Sequence, residues 1–563
     1  MIPESLRLEA SIEQRRYLCA GFLARWSGPV QDVWSPIYLP TLNAAAPDSI
    51  TKAGGSGLGI AYDKKAKPGN AEPGNAELKN VEPRNTEPGN AGLLLQPRRL
   101  GSYPLLGQAE TETILAAACR AYDHGRGPWP TMPEAERIAI VEQFLERMRE
   151  CRTQVVKLLL WEIGKSLAEA EMEFTRTIEY IAATIAVLRD WRRRDAVIIR
   201  EQGFLGRFRR APLGVVLCLG PFNNPFYETY TTMIPALLMG NTVIFKPPRL
   251  GVLLHQPLLP AFQEIFPPGV VGSLYGEGET VLAPLMKSGR IDALAFTGSR
   301  SVADKLRRWH PHPRRLRCLL GLEAKNAAIV LADADQDQAV NACVLGALAF
   351  NGQRCTALKI LFIHESIIDF FLVKLCRAVA QQTWGMPWLP GVRITPLAEP
   401  ARITYLNELL ADARAQGARI LNDGGGAVYQ TLMTPAVLYP VGKGMRIYHE
   451  EQFGPIIPVA SFAGLEKPVG YLEQADFGQQ VSIFGKNGKE IAGLARSLAN
   501  QVCRININSK SQRSPDSFPF TGRKNSAEGT MSVSTTLETF SISTLLVSQD
   551  NPGDHQLLAD IVT

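Results

Sequence analysis

One cysteine, in the stretch FNGQRCTALK from Phe350 to Lys359, has the surroundings of a nucleophile. Cys355 directly follows Arg354 and is otherwise flanked by small or polar residues. A thiolate is a strong nucleophile, and a neighbouring cation favours it over the thiol, whose ordinary pKa is about 8.5. Cysteine is also a common small residue of protein cores. The local residues therefore leave two interpretations open: a catalytic thiol assisted by Arg354, or a structural residue.

Polar loops follow three short apolar runs in the middle of the chain. The runs GVVLCLG, TVIFKPP and DALAFTGS begin at Gly214, Thr242 and Asp292. Continuous apolar runs of this length are typical of buried parallel strands. Ligands bind at the carboxyl ends of such strands, and these ends carry GPFNNP, KPPR and FTGS. Such loops suit a cofactor that bears phosphates, although no G-x-G-x-x-G fingerprint opens the first turn.

A second series of alternating elements begins at Asn326. It includes the segments NAAIVLADAD, ALKILFIHES and QQVSIFG. Alternation of strands and helices predicts a doubly wound sheet, and a chain of 563 residues is too long for a single core. The predicted fold class is therefore α/β, with two doubly wound α/β domains.

The composition argues against several classes of protein. The net charge of +6 is a mild excess over this length, and no zinc-finger or RNA-binding signature accompanies the short basic runs. Nine scattered cysteines without a C-x-x-C pair predict neither a disulfide framework nor a metal site. The N-terminus does not resemble a signal peptide, and no apolar run approaches about 20 residues. We therefore expect a cytoplasmic protein that binds neither nucleic acid nor membrane.

Residues 51–97 differ in composition from the rest of the chain. They contain an imperfect repeat built on EPGN and few large apolar residues. Such a segment cannot bury enough surface to offset the cost of ordering, so a flexible insertion is predicted.

Further along, Thr131 and Glu134 form a T-x-x-E pattern that predicts a capping box at the start of a helix.

Six motifs follow one another in a fixed order along the chain. They are GPFNNP, GNTVIFKPP, FTGS, GQRCT, EEQFGPIIPV and FPFTGRKNS. With these motifs the sequence resembles the aldehyde dehydrogenase superfamily, and most closely its branch of non-phosphorylating, NADP-dependent glyceraldehyde-3-phosphate dehydrogenases. The resemblance extends from about residue 100 to residue 547. It implies an aldehyde dehydrogenase-like fold, in which a small β oligomerisation element accompanies the two α/β domains.

The resemblance implies oxidation of an aldehyde by NADP, with NAD as the alternative cofactor. The nucleophile of the superfamily matches Cys355, and its oxyanion donors match the Asn223 side chain and the backbone N–H of Cys355. One such donor contributes about 3 kcal/mol in the transition state.

The matching cofactor-binding residues are Lys246 for the adenosine ribose or its 2′-phosphate, Gly298 and Ser299 for the pyrophosphate, and Glu451 and Phe453 for the nicotinamide ribose. Arg249 stands where NADP-preferring relatives often have threonine, and it either pairs with a 2′-phosphate or points to solvent.

Three arginines match the positions that bind the substrate phosphate in this branch. They are Arg176, Arg354 and Arg513. Guanidinium groups suit a phosphate dianion better than ammonium groups do. A tyrosine of the branch is replaced by Asn224, which is shorter but can still donate a hydrogen bond. The resemblance therefore implies oxidation of glyceraldehyde 3-phosphate to 3-phosphoglycerate without inorganic phosphate.

One departure concerns the general base, which the superfamily carries in the pattern E-L-G-G-K. This chain reads GLEAK, so Gly321 occupies the base position when the two are aligned on Lys325. Glu323 would lie about 6–7 Å further along an extended segment, as a displaced base or as a structural residue. Three outcomes stay open. Glu323 or water replaces the base, the thioester passes to coenzyme A in an acylating semialdehyde dehydrogenase, or the chain is a catalytically impaired nucleotide-binding protein.

The resemblance also divides the chain into parts. The predicted layout is an N-terminal arm at 1–99 that includes the insertion, a dinucleotide-binding domain at 100–190 and 214–319, a catalytic domain at 320–529, an oligomerisation element at 191–213 and 530–547, and a C-terminal tail at 548–563. The last strand of the oligomerisation element is expected to pair with a neighbouring subunit of a homodimer or homotetramer, because an exposed strand edge invites aggregation. The expected partners are a small phosphorylated aldehyde and other copies of this chain.

Overall fold

The N-terminal part consists of small sheets followed by five helices. The computed structural model describes residues 2–41, 94–195 and 197–560. The first elements are β1 (Ile12–Glu13), β2 (Arg16–Cys19), β3 (Phe22–Arg25), β4 (Val30–Thr41), β5 (Leu94–Pro104), α1 (Gln108–Tyr122), α2 (Pro128–Thr131), α3 (Glu134–Glu150), α4 (Arg152–Ile163) and α5 (Leu167–Asp195). The predicted insertion ended at residue 97, but β5 begins at Leu94 and pairs with β4. The rest of that insertion lies outside the described residues.

The predicted capping box at Thr131 is wrong. Thr131 is the last residue of α2, and its hydroxyl donates to the carbonyl of Gly127. Helix α3 begins at Glu134 with Pro133 as its N-cap residue and has no side-chain cap. The preceding short helix uses the threonine hydroxyl, so the T-x-x-E pattern does not form its reciprocal bonds.

A parallel sheet forms the first α/β domain. It follows the hairpin strands β6 (Ile199–Glu201) and β7 (Phe204–Pro212) and contains β8 (Val215–Leu219), α6 (Tyr227–Leu238), β9 (Thr242–Lys246), α7 (Leu259–Ile265), β10 (Val271–Ser273), α8 (Gly278–Lys287), β11 (Ala293–Thr297), α9 (Arg300–Trp309) and β12 (Arg317–Gly321). The strand order is β10-β9-β8-β11-β12, and every one of these pairs is parallel. Strand β8 is central and wholly buried, as its continuous apolar run predicted.

A second sheet forms the other α/β domain. Its elements are β13 (Asn326–Val330), α10 (Gln336–Leu348), β14 (Leu358–His364), α11 (Ile368–Ala380), α12 (Pro400–Ala415), β15 (Arg419–Ile420), β16 (Val428–Tyr429), β17 (Leu432–Met433), β18 (Ala436–Tyr439), α13 (Arg446–His449), β19 (Ile456–Phe462), α14 (Glu466–Gln474), β20 (Phe477–Gly478), β21 (Gln480–Phe484), α15 (Gly488–Leu498), β22 (Arg504–Ile507) and β23 (Arg523–Lys524). The main order is β15-β18-β19-β14-β13-β21-β22. The observed sheets therefore confirm the predicted fold class.

The C-terminal elements return to the earlier parts of the chain. They are β24 (Ala527–Glu528), α16 (Thr535–Thr539), β25 (Ser541–Gln549) and α17 (Pro552–Asp560). Strand β24 joins β12 at the edge of the first sheet, and β25 pairs along its length with β7 of the same chain. Helix α17, within the predicted C-terminal tail, packs against β7, because Arg207 donates to the carbonyls of Leu558 and Ala559.

The structure differs from the predicted layout in two boundaries and in one strand pairing. Helix α5 runs to Asp195, so the first part of the predicted oligomerisation element, the hairpin of β6 and β7, begins after that helix rather than at residue 191. The segment from residue 530 first forms α16, and its strand starts at Ser541. That strand, which was expected to pair with a neighbouring subunit, uses one edge to pair with β7 of its own chain. None of the described helices combines the length and apolar character needed to span a membrane.

Candidate active site

Cys355 lies in a tight loop between α10 and β14. Three consecutive residues before it, Phe350, Asn351 and Gly352, have positive φ values of 46°, 56° and 72°. A Cβ atom on Gly352 would lie 2.5 Å from the carbonyl oxygen of Gly454, so only glycine fits there. Unfavourable backbone conformations of this kind persist where the surroundings over-determine them, and they cluster at functional sites. The loop therefore presents the thiol in a fixed position between the two sheets.

The Cys355 thiol is protonated in the resting protein. Burial, followed by the negative charges of Glu228 and Glu451, raises its pKa to about 11. Arg354 and a hydrogen bond with Gln479 act in the opposite direction but do not prevail. Arg354 was expected to favour the thiolate, and it does so, yet desolvation and the two carboxylates outweigh it.

The Asn223 side chain contacts the loop that carries Cys355. Its Nδ2 donates to the carbonyl of Gln353 at 2.9 Å, two residues before the nucleophile. An amide nitrogen carries two donors, so the second N–H stays available for an oxyanion. On the other side, Asn326 Nδ2 donates to the carbonyl of Cys355 at 2.8 Å and fixes the loop against β13. The structure thus brings the predicted nucleophile and the predicted oxyanion donor together.

A buried lysine that the motifs did not single out joins this loop to the predicted nicotinamide-ribose residues. Lys359 Nζ donates to the carbonyl of Gly352 at 3.0 Å and lies 3.4 Å from Glu451 Oε1. The same ammonium lies 4.6 Å from the ring centroid of Phe453. Phe453 contacts Phe222 edge-to-face, with ring centroids 5.9 Å apart. Cofactor-side and nucleophile-side residues therefore form one connected unit.

The carboxyl ends of β9 and β11 carry groups that suit a dinucleotide. Lys246 Nζ contacts only the carbonyl of Pro247, at 3.3 Å, and burial lowers its pKa to about 8. Within the described part of the chain no carboxylate pairs with it, so a phosphate or ribose hydroxyl would satisfy a cation that has no counter-ion. Gly298 donates its N–H to the carbonyl of Gly321, which places Ser299 as the N-cap of α9. These residues fit a cofactor that bears phosphates and ribose hydroxyls.

Two predicted residues on this side are engaged elsewhere. Arg249 forms an ion pair with Glu399, and its side chain is two-thirds exposed. It makes no hydrogen bond with Lys246. Glu323 Oε2 accepts from the backbone N–H of Arg300 at 3.3 Å, in the first turn of α9. The Glu323 carboxylate therefore faces the predicted pyrophosphate position, and among the described residues it makes no contact with Cys355. This placement favours the structural role over the displaced base.

Two of the predicted phosphate-binding arginines are bonded to carboxylates of the chain itself. Arg513 Nη1 donates to both carboxylate oxygens of Glu228 at 2.8 Å. Arg176 makes a two-pronged contact with Asp516, at 3.0 Å from Nε and 2.5 Å from Nη2. Tyr227 adds its hydroxyl to the same Asp516 at 2.7 Å. The sequence motifs predicted the arginines but not these acidic partners.

The third arginine and Asn224 have different surroundings. Burial lowers the pKa of Arg354, while Cys355, Glu169 and Glu228 act to raise it. Asn224 Oδ1 accepts from Lys165 Nζ at 2.8 Å, and that lysine is also paired with the buried Glu173. The Asn224 amide nitrogen is thereby oriented away from Lys165, and its role as a donor in place of a tyrosine stays a prediction.

Comparison with known proteins decides the family. Residues 96–544 match the aldehyde dehydrogenase family. The chain belongs to that family. It is 31% identical over 454 residues to the NADP-dependent glyceraldehyde-3-phosphate dehydrogenase of Streptococcus equinus, covering 78% of this chain and 91% of that protein. It is 28% identical over 433 residues to malonate-semialdehyde dehydrogenase 2 of Shouchella clausii, covering 76% and 87%.

A solved structure agrees with the sequence relatives. The NADP complex of an NADP-dependent glyceraldehyde-3-phosphate dehydrogenase from Bacillus halodurans is 25% identical and has a TM-score of 0.78. The match covers 95% of this chain and 99% of the other. The family places this chain among the oxidoreductases and confirms the fold that the motifs implied.

In this aldehyde dehydrogenase the predicted base position is occupied by other atoms. A Cβ atom on Gly321 would lie 3.1 Å from Met531 Cε and 3.2 Å from Thr297 Oγ1. The methionine side chain thus packs against the glycine, where a longer residue would need space. Because Met531 is flexible, a glutamate could be accommodated there only with a shift of its terminal methyl group.

Four charged residues of this site were missed by the motifs. They are Lys165, Glu228, Lys359 and Asp516. Asp516 lies three residues after Arg513, so SQRSPD contained a local signal. Glu228 also had a signal, because a carboxylate in the apolar helix segment FYETYTTMIPALL is unusual unless it is paired.

Proposed function

We propose that this aldehyde dehydrogenase oxidises an anionic aldehyde through Cys355 with NADP as the hydride acceptor. Glyceraldehyde 3-phosphate, oxidised to 3-phosphoglycerate without inorganic phosphate, is the substrate suggested by the relatives' names and the three arginines. One observation carries the proposal. Cys355 lies in a fixed loop to which the Asn223 amide donates, and its neighbour Arg354 is within electrostatic range of Arg176.

The side chains of this site suit nucleophilic addition to a carbonyl. The Cys355 sulfur forms a bond to the carbonyl carbon while the carbonyl π electrons move to oxygen, giving a thiohemiacetal alkoxide. The free N–H of Asn223 and the backbone N–H of Cys355 would donate to that oxygen. Because burial and two carboxylates keep the thiol protonated, its proton must leave as the bond forms.

Residues of the cofactor side would hold the dinucleotide. Lys246 would neutralise a phosphate or bind a ribose hydroxyl, and Glu451 would accept from the nicotinamide ribose. NADP, when bound, supplies the acceptor for the hydride that leaves the former carbonyl carbon. Burial raises the pKa of the Glu451 carboxyl, and the positive charge of Lys359 acts against that shift.

A second candidate follows from Gly321. Without a base at this position, water attacks the thioester more slowly, by about 10²–10⁴ for a typical general base. The methionine packed on Gly321 supports transfer of the acyl group to the thiol of coenzyme A, as in an acylating semialdehyde dehydrogenase. Steady turnover that depends strictly on coenzyme A would favour this candidate, and indifference to coenzyme A would exclude it.

The decisive assay is reduction of NADP by purified enzyme with glyceraldehyde 3-phosphate as the only other reactant. Steady formation of NADPH without inorganic phosphate supports the first candidate. A burst of one NADPH per subunit, followed by a stop, means that the acyl-enzyme forms and is not released. Absence of any burst, while Cys355 still reacts with iodoacetamide, would exclude glyceraldehyde 3-phosphate as the substrate, and absence of a burst with every aldehyde tested would leave only the impaired nucleotide-binding protein.

We also propose that the chain self-associates through the three-stranded sheet β25-β7-β6. Exposed apolar side chains lie on this sheet: Ile199, Phe204, Phe208, Ile542, Leu545 and Val547. A second copy would cover them, as expected for a homodimer or homotetramer. Light scattering that gives the mass of a monomer at micromolar concentration would refute this association.

A further inference from the structure

An alternating set of arginines and carboxylates lies within electrostatic range of Cys355 and Arg354, and we call the space among them the substrate pocket. Arg513 is bonded to Glu228, and Arg176 to Asp516, in the two-pronged contacts described above. Arg513 Nε also lies 3.9 Å from Asp516, so the two pairs form one network. Arg513 and Glu228 are almost fully buried. An incoming anion therefore meets two arginines whose donors already have ionic partners.

Arg354 differs from the other two arginines. Within residues 2–41, 94–195 and 197–560, no oxygen accepts a hydrogen bond from its guanidinium. The negative charges of Glu169 and Glu228 act to raise the pKa of Arg354, and the positive charge of Arg176 acts against them. A free guanidinium fork matches one carboxylate through two parallel hydrogen bonds. The pocket thus has unsatisfied donors for a single anionic group.

Glu228 also places a negative charge close to the reacting sulfur. Among charged groups, it contributes most to raising the pKa of Cys355. A substrate phosphate drawn toward Arg513 would approach this carboxylate and Asp516 as well. Like charges juxtaposed in a buried site disfavour binding, and specificity is often set by such repulsion.

We propose that Glu228 and Asp516 restrict the pocket to aldehydes with one negative charge, of the ω-oxo carboxylate class, in preference to dianionic phosphate esters. The inference rests on the proposed oxidation through Cys355 and refines its substrate. The substrate carboxylate binds Arg354, while its aldehyde carbon reaches Cys355. Arg176 and Arg513 keep their own carboxylates throughout, so neither buried pair is broken.

The test compares kcat/KM of the full-length enzyme for three aldehydes at saturating NADP, with and without coenzyme A. They are 4-oxobutanoate, glyceraldehyde 3-phosphate and butanal, which carry one, two and no negative charges. We expect 4-oxobutanoate to exceed each of the others by about tenfold or more. Preference for glyceraldehyde 3-phosphate or for butanal overturns the inference but leaves the oxidation through Cys355 standing. No turnover and no burst with any of the three overturns the proposed function itself.

Variants locate the origin of the preference. Glu228→Gln removes the charge but keeps the shape, so kcat/KM for glyceraldehyde 3-phosphate should rise by about tenfold while that for 4-oxobutanoate changes less. Asp516→Asn provides a second variant if Glu228→Gln does not fold, which circular dichroism will show. Glu146→Gln, at an exposed glutamate of α3, is the matched control and should leave the preference unchanged. An unchanged ratio in folded Glu228→Gln and Asp516→Asn enzymes contradicts the proposal.

Discussion

The substrate side and the cofactor side of the groove around Cys355 hold their charges in different ways. On the substrate side, Arg513 and Glu228 share two hydrogen bonds, and their side chains are 5% and 9% exposed. On the cofactor side, Glu323 makes one contact with a backbone N–H, and the Arg249 pair is largely exposed. Both sides place protein carboxylates where anions are expected to bind.

The difference concerns how easily a ligand can replace these carboxylates. Breaking a buried ion pair leaves a charge without compensation and is costly, whereas an exposed pair contributes at most about 1 kcal/mol. The substrate side therefore has a fixed charge pattern that selects among aldehydes. On the cofactor side, the contacts of Glu323 and Arg249 are ones that a dinucleotide can displace, whereas the Lys359–Glu451 pair is buried like those of the substrate side.

The largest expected effect tests whether the Cys355 sulfur is the nucleophile for the substrate side and the cofactor side alike. Cys355→Ser should reduce steady NADP reduction by at least about 10³-fold, because a serine hydroxyl without an adjacent base is a poor nucleophile. Retained NADP binding, measured by fluorescence titration, will show that the cofactor side is intact. Cys503→Ser, at an exposed cysteine, is the control. Substantial turnover in Cys355→Ser would mean that another nucleophile acts.

The next effect compares the two ion pairs directly. Arg513→Leu should lower the free energy of unfolding by about 3–5 kcal/mol, because Glu228 is left buried without a partner. Arg249→Leu should change it by less than about 1 kcal/mol. Urea unfolding followed by tryptophan fluorescence gives both values.

A double variant separates the lost pair from the stranded charge. Arg513→Leu combined with Glu228→Leu should recover most of the stability lost in Arg513→Leu, because no charge remains buried. Equal losses in the Arg513 and Arg249 variants would contradict the distinction between buried and exposed pairs.

The pH dependence of alkylation reports the charge pattern at Cys355. Its pKa is raised to about 11, so the thiol form dominates at neutral pH. The rate of carboxamidomethylation by iodoacetamide should rise about tenfold per unit between pH 7 and about 10. Glu228→Gln removes an anion that disfavours the thiolate, so it should lower the pKa and accelerate the reaction at pH 8. The Cys355→Ser protein supplies the background from other cysteines, and a rate that is flat above pH 7 would refute the raised pKa.

The sequence predicted the parts of this site that short motifs carry. Cys355 and Asn223 lie in loops beside buried strands and Lys246 ends strand β9, in recognisable local patterns, while their roles stay predictions. Glu228 and Asp516 were not predicted as partners, because their pairing joins positions 285 and 340 residues apart from the arginines they bind. Such pairs depend on how α5 and α6 pack against the last segment of the catalytic domain.

Some local patterns were overridden by their context. Pro133 and the short helix α2 replaced the capping box expected from Thr131. The resemblance implied a strand within residues 530–547, but the pairing of β25 with β7 of the same chain could not be read from either strand alone. The sequence puts Glu323 two residues beyond Gly321, yet the direction of its side chain depends on where α9 begins.

A smaller effect concerns the cation without a counter-ion on the cofactor side. Burial lowers the pKa of Lys246 to about 8, so its ammonium form is lost as pH rises through that value. NADP affinity should therefore fall several-fold between pH 7 and pH 9, to about the affinity of Lys246→Met at pH 7, which we expect to be about tenfold weaker than wild type. Isothermal titration calorimetry measures both. Lys287→Met, at an exposed lysine of α8, is the control, and an unchanged affinity in Lys246→Met would remove this residue from the cofactor site.

The smallest effect is expected at Glu323. Its carboxylate lies at the N-terminus of α9, where the pyrophosphate is predicted to bind, and anions are favoured at that end of a helix. Glu323→Gln should therefore tighten NADP binding by about two- to fivefold in titration calorimetry, because the ligand no longer displaces a competing charge. Glu277→Gln, exposed at the N-cap of α8, should not.

The same variant distinguishes the two roles considered for Glu323. A displaced general base would lower steady turnover in Glu323→Gln while the NADP dissociation constant stays the same. A competing anion changes the dissociation constant and leaves turnover at saturating NADP intact. If turnover falls and NADP binding does not tighten, Glu323 takes part in the chemistry at Cys355. In that case the dinucleotide does not displace the Glu323 carboxylate when it binds.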